Sequence, residues 1–103
     1  MKLGILGGTF DPIHFGHILM AQAALDEVAL DRVLLLPGGD PPHKTPYAPK
    51  ADRLHMVRLA ADTDERFWVS DMELKRAGRT YTVDTLLQLR DEYPHAQFTY
   101  IVG

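Results

Sequence analysis

The sequence has 103 residues, which suffices for one domain with a modest hydrophobic core. Its formal net charge of −3 argues against a general nucleic-acid binder, which usually presents a basic face, but allows a local basic pocket. The absence of cysteine excludes disulfides, thiol nucleophiles and cysteine-bound zinc. No segment is apolar over the length of a bilayer, and Gly7-Gly8 interrupts the first apolar run too early for a signal peptide. We therefore expect a soluble cytoplasmic domain without nucleic-acid or membrane partners.

Short apolar runs alternate with helical periodicity along the chain. Strands are expected at Leu3–Leu6, Val33–Leu36, Phe67–Ser70 and Phe98–Val102. Apolar stripes with steps of three and four residues lie between them, at Ile18/Ala21/Leu25/Val28, Leu54/Val57/Ala61 and Leu86/Leu89/Tyr93, the last helix with Thr82 as its N-cap. Trp68 lies within a strand and is interpreted as a core residue. The order β-α-β-α-β-α-β predicts an α/β fold with a parallel sheet and right-handed crossovers.

Two loops after strands are candidates for ligand binding. Residues 38–49 are rich in proline, and residues 71–82 are polar and highly charged. Ligands of open α/β sheets bind beyond the carboxyl ends of the strands, so these loops and the glycine loop after the first strand are expected on one rim.

The glycine loop contains the first chemistry-bearing residues. Gly7-Gly8-Thr9 can approach a phosphate closely, although a tight turn explains two glycines equally well. His14 and His17 follow at a spacing that puts both rings on one helix face, with Gly16 leaving room for a ligand between them. Three interpretations remain open for this pair: stabilisation of a transferred phosphoryl group, capping of the helix, and a zinc pair.

The complete segment Gly7–His17, G-G-T-F-D-P-I-H-F-G-H, is more specific than its parts. It resembles the signature of the nucleotidyltransferase superfamily that shares the H-x-G-H motif, and this implies a Rossmann-like nucleotidyltransferase fold. The resemblance implies that His14 and His17 are catalytic, binding the nucleotide phosphates and the transition state. Asp11 and Pro12 are expected to shape the loop, Asp11 through local hydrogen bonds. The resemblance also implies an ATP-binding set made of Gly7, Gly8, Thr9, Phe10, His14 and His17.

Pro41-Pro42-His43-Lys44 follows the second predicted strand. Taken alone, it is an exposed proline-rich loop with a single lysine. Together with the first motif, it is similar to the P-P-H-K of nicotinate mononucleotide adenylyltransferases. This resemblance implies that His43 and Lys44 face the phosphate of the mononucleotide, and that Lys44 contributes to catalysis as a point charge.

Further matches to the same family follow along the chain. Arg53 with Met56 resembles its R-x-x-M, and residues 71–78 resemble its D-x-E-L-x-R-x-G. Residues 80–86 resemble the [ST]-Y-T-x-x-T-L that opens the third helix. In the family, the backbone around the last threonine, here Thr85, holds the nicotinate carboxylate. Such a role is physically sensible because N–H groups at a helix N-terminus attract carboxylates.

The resemblance implies an enzyme of NAD biosynthesis, a nicotinate-nucleotide adenylyltransferase. It would transfer AMP from ATP to nicotinate mononucleotide, releasing nicotinate adenine dinucleotide and pyrophosphate. Mg²⁺ would accompany ATP, no side chain is assigned as a metal ligand, and a homo-oligomer is compatible with the sequence. Two alternatives stay open: a related adenylyl- or cytidylyltransferase with another phosphate acceptor, and an inactive nucleotide-binding fragment.

The carboxyl end of the sequence is the reason for the second alternative, an inactive nucleotide-binding fragment. The last residues, Val102-Gly103, lie where a strand is expected to end and an active-site loop to begin. The family continues beyond this point with a motif that grips the ATP phosphates. We therefore expect residues 1–103 to form a single nucleotide-binding domain that is truncated at its carboxyl end and poorly active alone.

Overall fold

The computed structural model describes residues 1–38, 47–76 and 82–101. Strands and helices alternate from β1 onward, as the periodicity predicts. In chain order they are β1 (Lys2–Gly8), α1 (Phe15–Glu27), β2 (Arg32–Pro37), α2 (Lys50–Ala61), β3 (Phe67–Val69), α3 (Thr82–Glu92) and β4 (Gln97–Tyr100). The predicted α/β fold is confirmed, and PPHK lies outside the described residues.

The strands form a four-stranded parallel sheet in the order β3-β2-β1-β4. β1 is central and pairs with β2 from Leu3↔Arg32 to Gly8↔Pro37. On its other side, β1 pairs with β4 from Lys2↔Gln97 to Ile5↔Tyr100. The chain moves from β1 through β2 to β3 and then returns to the far side of β1, so the strand order reverses at β1. Ligands of such sheets bind at this reversal, beyond the carboxyl ends of the strands.

Successive side chains of the central strands point to opposite faces and fill two separate cores. One core packs Leu6, Val33 and Leu35 with buried residues of α1 and α2. The other packs Leu3, Ile5, Leu34 and Leu36 with Leu89 of α3. These alternating residues explain why β1 and β2 appear as continuous apolar runs in the sequence: both of their faces are covered.

Several local predictions need correction. Val28 was placed on the buried stripe of α1, but it caps the carboxyl end of that helix and is 48% exposed. Thr82 is the first helical residue of α3 rather than its N-cap. β3 ends one residue early, at Val69. β4 runs from Gln97 to Tyr100, and position 102 of the predicted strand lies outside the described residues.

Trp68 was expected in the core and lies at its boundary. It is half-buried and packs against the core beneath α3. Its ring stacks on Tyr93 with the centroids 6.0 Å apart, and the guanidinium of Arg32 lies 5.5 Å from its centroid. Among the described residues, no helix is both long and apolar enough to cross a membrane.

Candidate nucleotide-transfer site

The loop after β1 contains one buried aromatic residue, Phe10. Phe10 has a φ of 51°, in the left-handed region that non-glycine residues rarely occupy, and its side chain is only 3% exposed. A Cβ at Gly8 would lie 3.3 Å from the Phe10 ring, so glycine allows the strand end to approach this ring closely. Because the Phe10 ring belongs to the core, its backbone is the part that can contact a nucleotide.

His14 and His17 lie together at the start of α1, as their spacing predicts. His14 is the N-cap residue, and its Nδ1 accepts a hydrogen bond from the Gly16 backbone N–H at 3.1 Å. The Nδ1 of His17 accepts from the backbone N–H of His14 at 3.0 Å. The two ring centroids are 3.8 Å apart, and the His17 ring meets the Phe10 ring edge-on at 4.9 Å. Each histidine is therefore fixed by a backbone group at one nitrogen.

This bonding assigns the tautomer of both rings. A neutral imidazole whose Nδ1 accepts a hydrogen bond carries its proton on Nε2, so each ring keeps one N–H donor. Burial, followed by the neighbouring His14, lowers the pKa of His17 below its ordinary value of 6.5. His17 is thus a neutral donor at pH 7, and its donor nitrogen is the one that the helix cap does not use.

Gly16 has a more specific role than leaving room for a ligand. A Cβ at this position would lie 2.9 Å from Cε1 and 3.1 Å from Nδ1 of His14. Any larger residue would push the His14 ring away from its cap position. The glycine of H-x-G-H therefore makes room for a histidine of the motif itself.

The geometry bears on the three interpretations of the histidine pair. The capping interpretation is confirmed, since both rings accept backbone hydrogen bonds at the helix start. Capping leaves Nε2 available, so it coexists with phosphate binding. For the zinc pair, the described residues contain no group of three or more His, Cys, Asp or Glu that could hold a metal ion.

Asp11 shapes the loop, as expected, but the prediction of local hydrogen bonds is wrong. Its two carboxylate oxygens accept from the backbone N–H groups of Tyr47 and Ala48, at 2.6 and 3.0 Å. These partners lie just before α2, on the far side of the proline-rich loop. Sequence spacing gives no sign of such a contact, because the fold alone brings positions 11 and 47 together.

Arg53, the arginine of R-x-x-M, is fully buried. Its Nη1 donates to the backbone oxygens of Thr9 and Gly38, both at 2.9 Å, and its Nε donates to the Ala48 oxygen at 3.0 Å. One guanidinium from α2 thus contacts the loop after β1, the end of β2 and the entry to α2. The motif identified this position in the sequence, but its role becomes apparent only in the structure.

Thr85 is buried at 1% exposure and forms part of a side-chain network. Its hydroxyl donates to Oε2 of Glu73 at 2.7 Å and accepts from Nη1 of Arg76 at 2.7 Å. Arg76 also donates to the side-chain oxygen of Gln88 at 2.6 Å. The predicted binding role of Thr85 concerned its backbone, and this network fixes the side chain of the same residue.

Glu73 connects this network to the rim of the sheet. A Cβ at Gly38 would lie 3.5 Å from Oε1 of Glu73, and Gly38 itself donates its backbone N–H to the Gly8 oxygen at 2.7 Å. Burial raises the pKa of Tyr100 on β4, and the negative charge of Glu73 raises it further. Sequence reasoning noticed Glu73 only as part of a motif and did not select Tyr100.

A continuous series of contacts therefore joins most of the predicted site residues. It runs from His14 and His17 through Phe10 to Gly8, whose oxygen accepts from the Gly38 N–H; Glu73 lies beside Gly38 and bonds to Thr85. His43 and Lys44 lie outside the described residues. An open cleft of about 970 Å³ beside β3, lined by Trp68 and Tyr93 among others, includes none of these site residues.

Comparisons with known proteins identify relatives of the chain. The chain is 52% identical to a probable nicotinate-nucleotide adenylyltransferase of Synechococcus sp. (strain JA-2-3B'a(2-13)), over 99% of this chain and 52% of that protein. It is 50% identical to a protein of the same name from Neisseria meningitidis serogroup C (strain 053442), over 99% of this chain and 52% of the relative. The chain thus spans about half the length of the curated relatives it matches.

Among solved structures, the fold matches the Plasmodium falciparum nicotinic acid mononucleotide adenylyltransferase complexed with NaAD, with a TM-score of 0.81. The identity is 18%, and the match covers 96% of this chain and 50% of that one. The predicted Rossmann-like nucleotidyltransferase fold is thereby confirmed. Residues 5–102 match the cytidylyltransferase-like family, whose span includes the glycine loop, both histidines and the Thr85 network. The chain therefore belongs to the cytidylyltransferase-like family.

Proposed function

We propose that this chain provides the catalytic loop and the acceptor side of a nicotinate-nucleotide adenylyltransferase. The reaction transfers AMP from ATP to nicotinate mononucleotide, giving nicotinate adenine dinucleotide and pyrophosphate. Curated relatives at about 50% identity carry this name, and the matched region covers 99% of the present chain. The assignment of substrates is inferred from these relatives and from the motifs, because the chain spans half of their length.

The arrangement of His14 and His17 carries the proposal. Both rings use Nδ1 to cap α1, and both keep a proton on Nε2, which the cap does not use. Nucleotidyl transfer needs donors that are already oriented where negative charge develops, in addition to phosphate-binding backbone N–H groups. A helix start with two fixed imidazole donors at the switch point of a parallel sheet meets that need.

In the proposed mechanism, a phosphate oxygen of nicotinate mononucleotide attacks the α-phosphorus of ATP in line. The new P–O bond forms as the bond to the leaving pyrophosphate breaks, and negative charge accumulates on the phosphoryl oxygens. His14 and His17 donate hydrogen bonds to these oxygens from Nε2, and neither ring needs to transfer a proton. Lys44 contributes its charge at the acceptor phosphate, according to the motif.

The acceptor assignment depends on the other end of the site. The N-terminal turn of α3 contains Thr85, and backbone N–H groups in a first helical turn attract a carboxylate. The bonds from Thr85 to Glu73 and Arg76 hold this turn against the rim. We assign the nicotinate carboxylate to the backbone of this turn, and the mononucleotide phosphate to His43 and Lys44.

Mg²⁺ is assigned to ATP rather than to a dedicated protein site. In such reactions it neutralises charge on the substrate phosphates and is bound by few protein ligands. Cytoplasmic location and a homo-oligomeric state remain predictions from the sequence.

The deciding experiment uses the protein expressed from its complete gene, with ATP, Mg²⁺ and either nicotinate or nicotinamide mononucleotide. We expect nicotinate adenine dinucleotide and pyrophosphate in equal amounts, and a preference for the acid acceptor. The His17→Ala variant should lose about 100- to 1,000-fold in kcat, the effect of removing one preorganised donor.

His55→Ala provides the matched control, because His55 is exposed on α2 and is expected to have no effect on turnover. Formation of a different dinucleotide or sugar nucleotide would reassign the acceptor. If folded His17→Ala keeps turnover within a few-fold, the mechanism assigned to this histidine is wrong.

A further inference from the structure

We propose that Asp11 and Arg53 form a strap that holds the loop after β1 and the loop after β2 in one fixed relation, and thereby positions ATP against its acceptor. The strap is defined as these two side chains with their bonds to Thr9, Gly38 and residues 47–48. This inference rests on the proposed function, since it assigns positioning residues to the same reaction. The comparisons name a family but give no role to either side chain.

Arg53 supplies one direction of the strap. It reaches from α2 to the Thr9 oxygen in the loop after β1 and to the Gly38 oxygen at the end of β2. Both acceptors belong to short segments of irregular backbone at the rim. A buried cation normally needs several hydrogen bonds to compensate for lost hydration, and Arg53 obtains them from these carbonyls.

Asp11 supplies the opposite direction. It reaches from the loop after β1 to the backbone N–H groups of Tyr47 and Ala48, at 2.6 and 3.0 Å. Ala48 is held from both sides, because its N–H donates to Asp11 while its oxygen accepts from Arg53. The two side chains therefore clamp the same residue and connect the two loops as a unit.

The position of the strap explains why it would matter for catalysis. The first loop precedes His14 and His17, and the second includes His43 and Lys44, which lie in sequence between Gly38 and Tyr47. In-line transfer requires the attacking oxygen and the α-phosphorus to meet within a narrow range of distance and angle. The strap fixes Gly38 and Tyr47, which stand on either side of His43 and Lys44 in the sequence, to the loop after β1. It would thereby restrict the distance and angle between the two substrates.

The chemistry of the strap favours arginine specifically. A guanidinium presents several N–H donors in a rigid planar arrangement, whereas a lysine ammonium is a compact donor on a flexible stem. Arg53→Lys keeps the charge but cannot reproduce donation from Nε and Nη1 to separated carbonyls. We therefore expect the kcat/KM of Arg53→Lys to lie between the values of the wild type and Arg53→Met.

The test uses the protein from its complete gene and measures kcat and KM for ATP and for nicotinate mononucleotide separately. Arg53→Met should lower kcat/KM about 100-fold, as expected for a displacement of about 1 Å at the reacting atoms. Arg53→Lys should lose about 10-fold, and Asp11→Asn a similar amount, each referred to folded protein. The double variant Asp11→Asn/Arg53→Lys should lose less than the product of the single effects, because both residues act in one unit.

Controls separate positioning from a general loss of stability. Arg58→Met changes an exposed arginine on the same helix, and Asp91→Asn changes an exposed carboxylate on α3; both should keep wild-type kinetics. A purely structural role for Arg53 would reduce the amount of folded protein but leave kcat and KM of the folded fraction unchanged. That outcome would overturn the inference.

Amide hydrogen exchange tests the strap without reference to activity. Asp11→Asn should raise exchange at Tyr47 and Ala48, and Arg53→Met should raise it in residues 7–12 and 47–53 together. For Arg53→Met, a change in only one of these two segments would overturn the coupling of the loops. If the wild type forms no nicotinate adenine dinucleotide, the proposed function fails and the strap is judged on exchange alone. If it forms the product and the strap variants have normal kinetics, only the strap is wrong.

Discussion

The two ends of the candidate site are held in different ways. At the end proposed to bind ATP, called the ATP end, side chains bind backbone atoms: His14 and His17 accept from N–H groups, and Arg53 donates to carbonyls. At the acceptor end, side chains bind one another, in the series Glu73, Thr85, Arg76 and Gln88. At the first end, side chains are thus held by the backbone of the loops and of the helix start. At the second end, the position of each side chain depends on the other members of the network.

This difference should separate effects on turnover from effects on stability. A change at Gly16 or at either histidine moves the proposed donors, and none of these three residues is buried in the core. A change at the acceptor end leaves buried polar groups unpaired, which costs stability as well as acceptor binding. The predictions below test this separation, beginning with the largest effect.

Gly16→Ala should give the largest effect. The new Cβ would lie 2.9 Å from Cε1 of His14, so the ring must leave its cap position. We expect kcat to fall about 100-fold, comparable to the loss of one preorganised donor. Stability should change little, because alanine improves helix propensity by up to about 1 kcal/mol and partly compensates for the weakened cap.

Steady-state kinetics and thermal unfolding of the same samples check this prediction. Ala23→Gly, at an exposed position of the same helix, is the control that changes propensity without touching either histidine. Normal turnover in Gly16→Ala would show that His14 does not need the position seen here.

The sequence predicted the ATP end better than the acceptor end. The apolar runs predicted the alternation of strands and helices along the chain, and the spacing of His14 and His17 predicted their proximity. Both follow from local periodicity, so no long-range information was needed. The position of Arg53 was marked by a motif. It also lies four residues before Val57, on the buried face of α2, but an arginine at such a position is normally expected to be exposed.

The contacts that sequence reasoning missed join residues far apart in the chain. Asp11 bonds to backbone groups 36 and 37 residues away, and Arg53 reaches Thr9 across 44 residues. The hydroxyl of Thr85 bonds to Glu73 across 12 residues, between two elements whose packing depends on the whole sheet. Polar pairs of this kind have no periodic signal, because the tertiary fold alone determines which side chains meet.

Thr85→Val should give the second effect, at the acceptor end. Valine keeps the shape but removes a hydroxyl that bonds to Glu73 and to Arg76. We expect a loss of about 1–3 kcal/mol in the free energy of unfolding, the usual cost of leaving buried polar groups unsatisfied. The KM for the mononucleotide should rise more than the KM for ATP.

Chemical denaturation and separate KM measurements check this result. Thr82→Val is the control, since Thr82 is exposed on the same helix. If Thr85→Val alters turnover with ATP but leaves stability unchanged, the contrast between the two ends is incorrect.

A third effect is a dependence of stability on pH that arises from His17. Burial and the nearby His14 lower the pKa of His17 in the folded state below the ordinary 6.5 of the unfolded chain. As pH falls through 6.5, the unfolded state takes up the proton first, so folding becomes less favourable. This loss should continue down to the folded pKa and should be absent above pH 7.

Unfolding curves between pH 7.5 and pH 5 for the wild type and His17→Gln check the sign. The glutamine variant cannot titrate here, so the difference between the two proteins should vary over this range. A wild type that gains stability relative to His17→Gln on acidification would contradict the lowered pKa.

The smallest expected effect is a change in the pKa of His17 when His14 is replaced. His14→Asn retains a side-chain oxygen suited to capping and removes a titratable ring 3.8 Å from His17. The pKa of His17 should therefore rise, because the positive charge that His14 can carry is one cause of the lowering. The rise should be partial, since burial is the larger cause and persists in the variant. NMR titration of the His17 ring in both proteins measures it, with His95→Asn as a control at an exposed position. An unchanged His17 pKa would mean that the two rings are electrostatically independent, and that the ATP end contains two separate donors rather than a coupled pair.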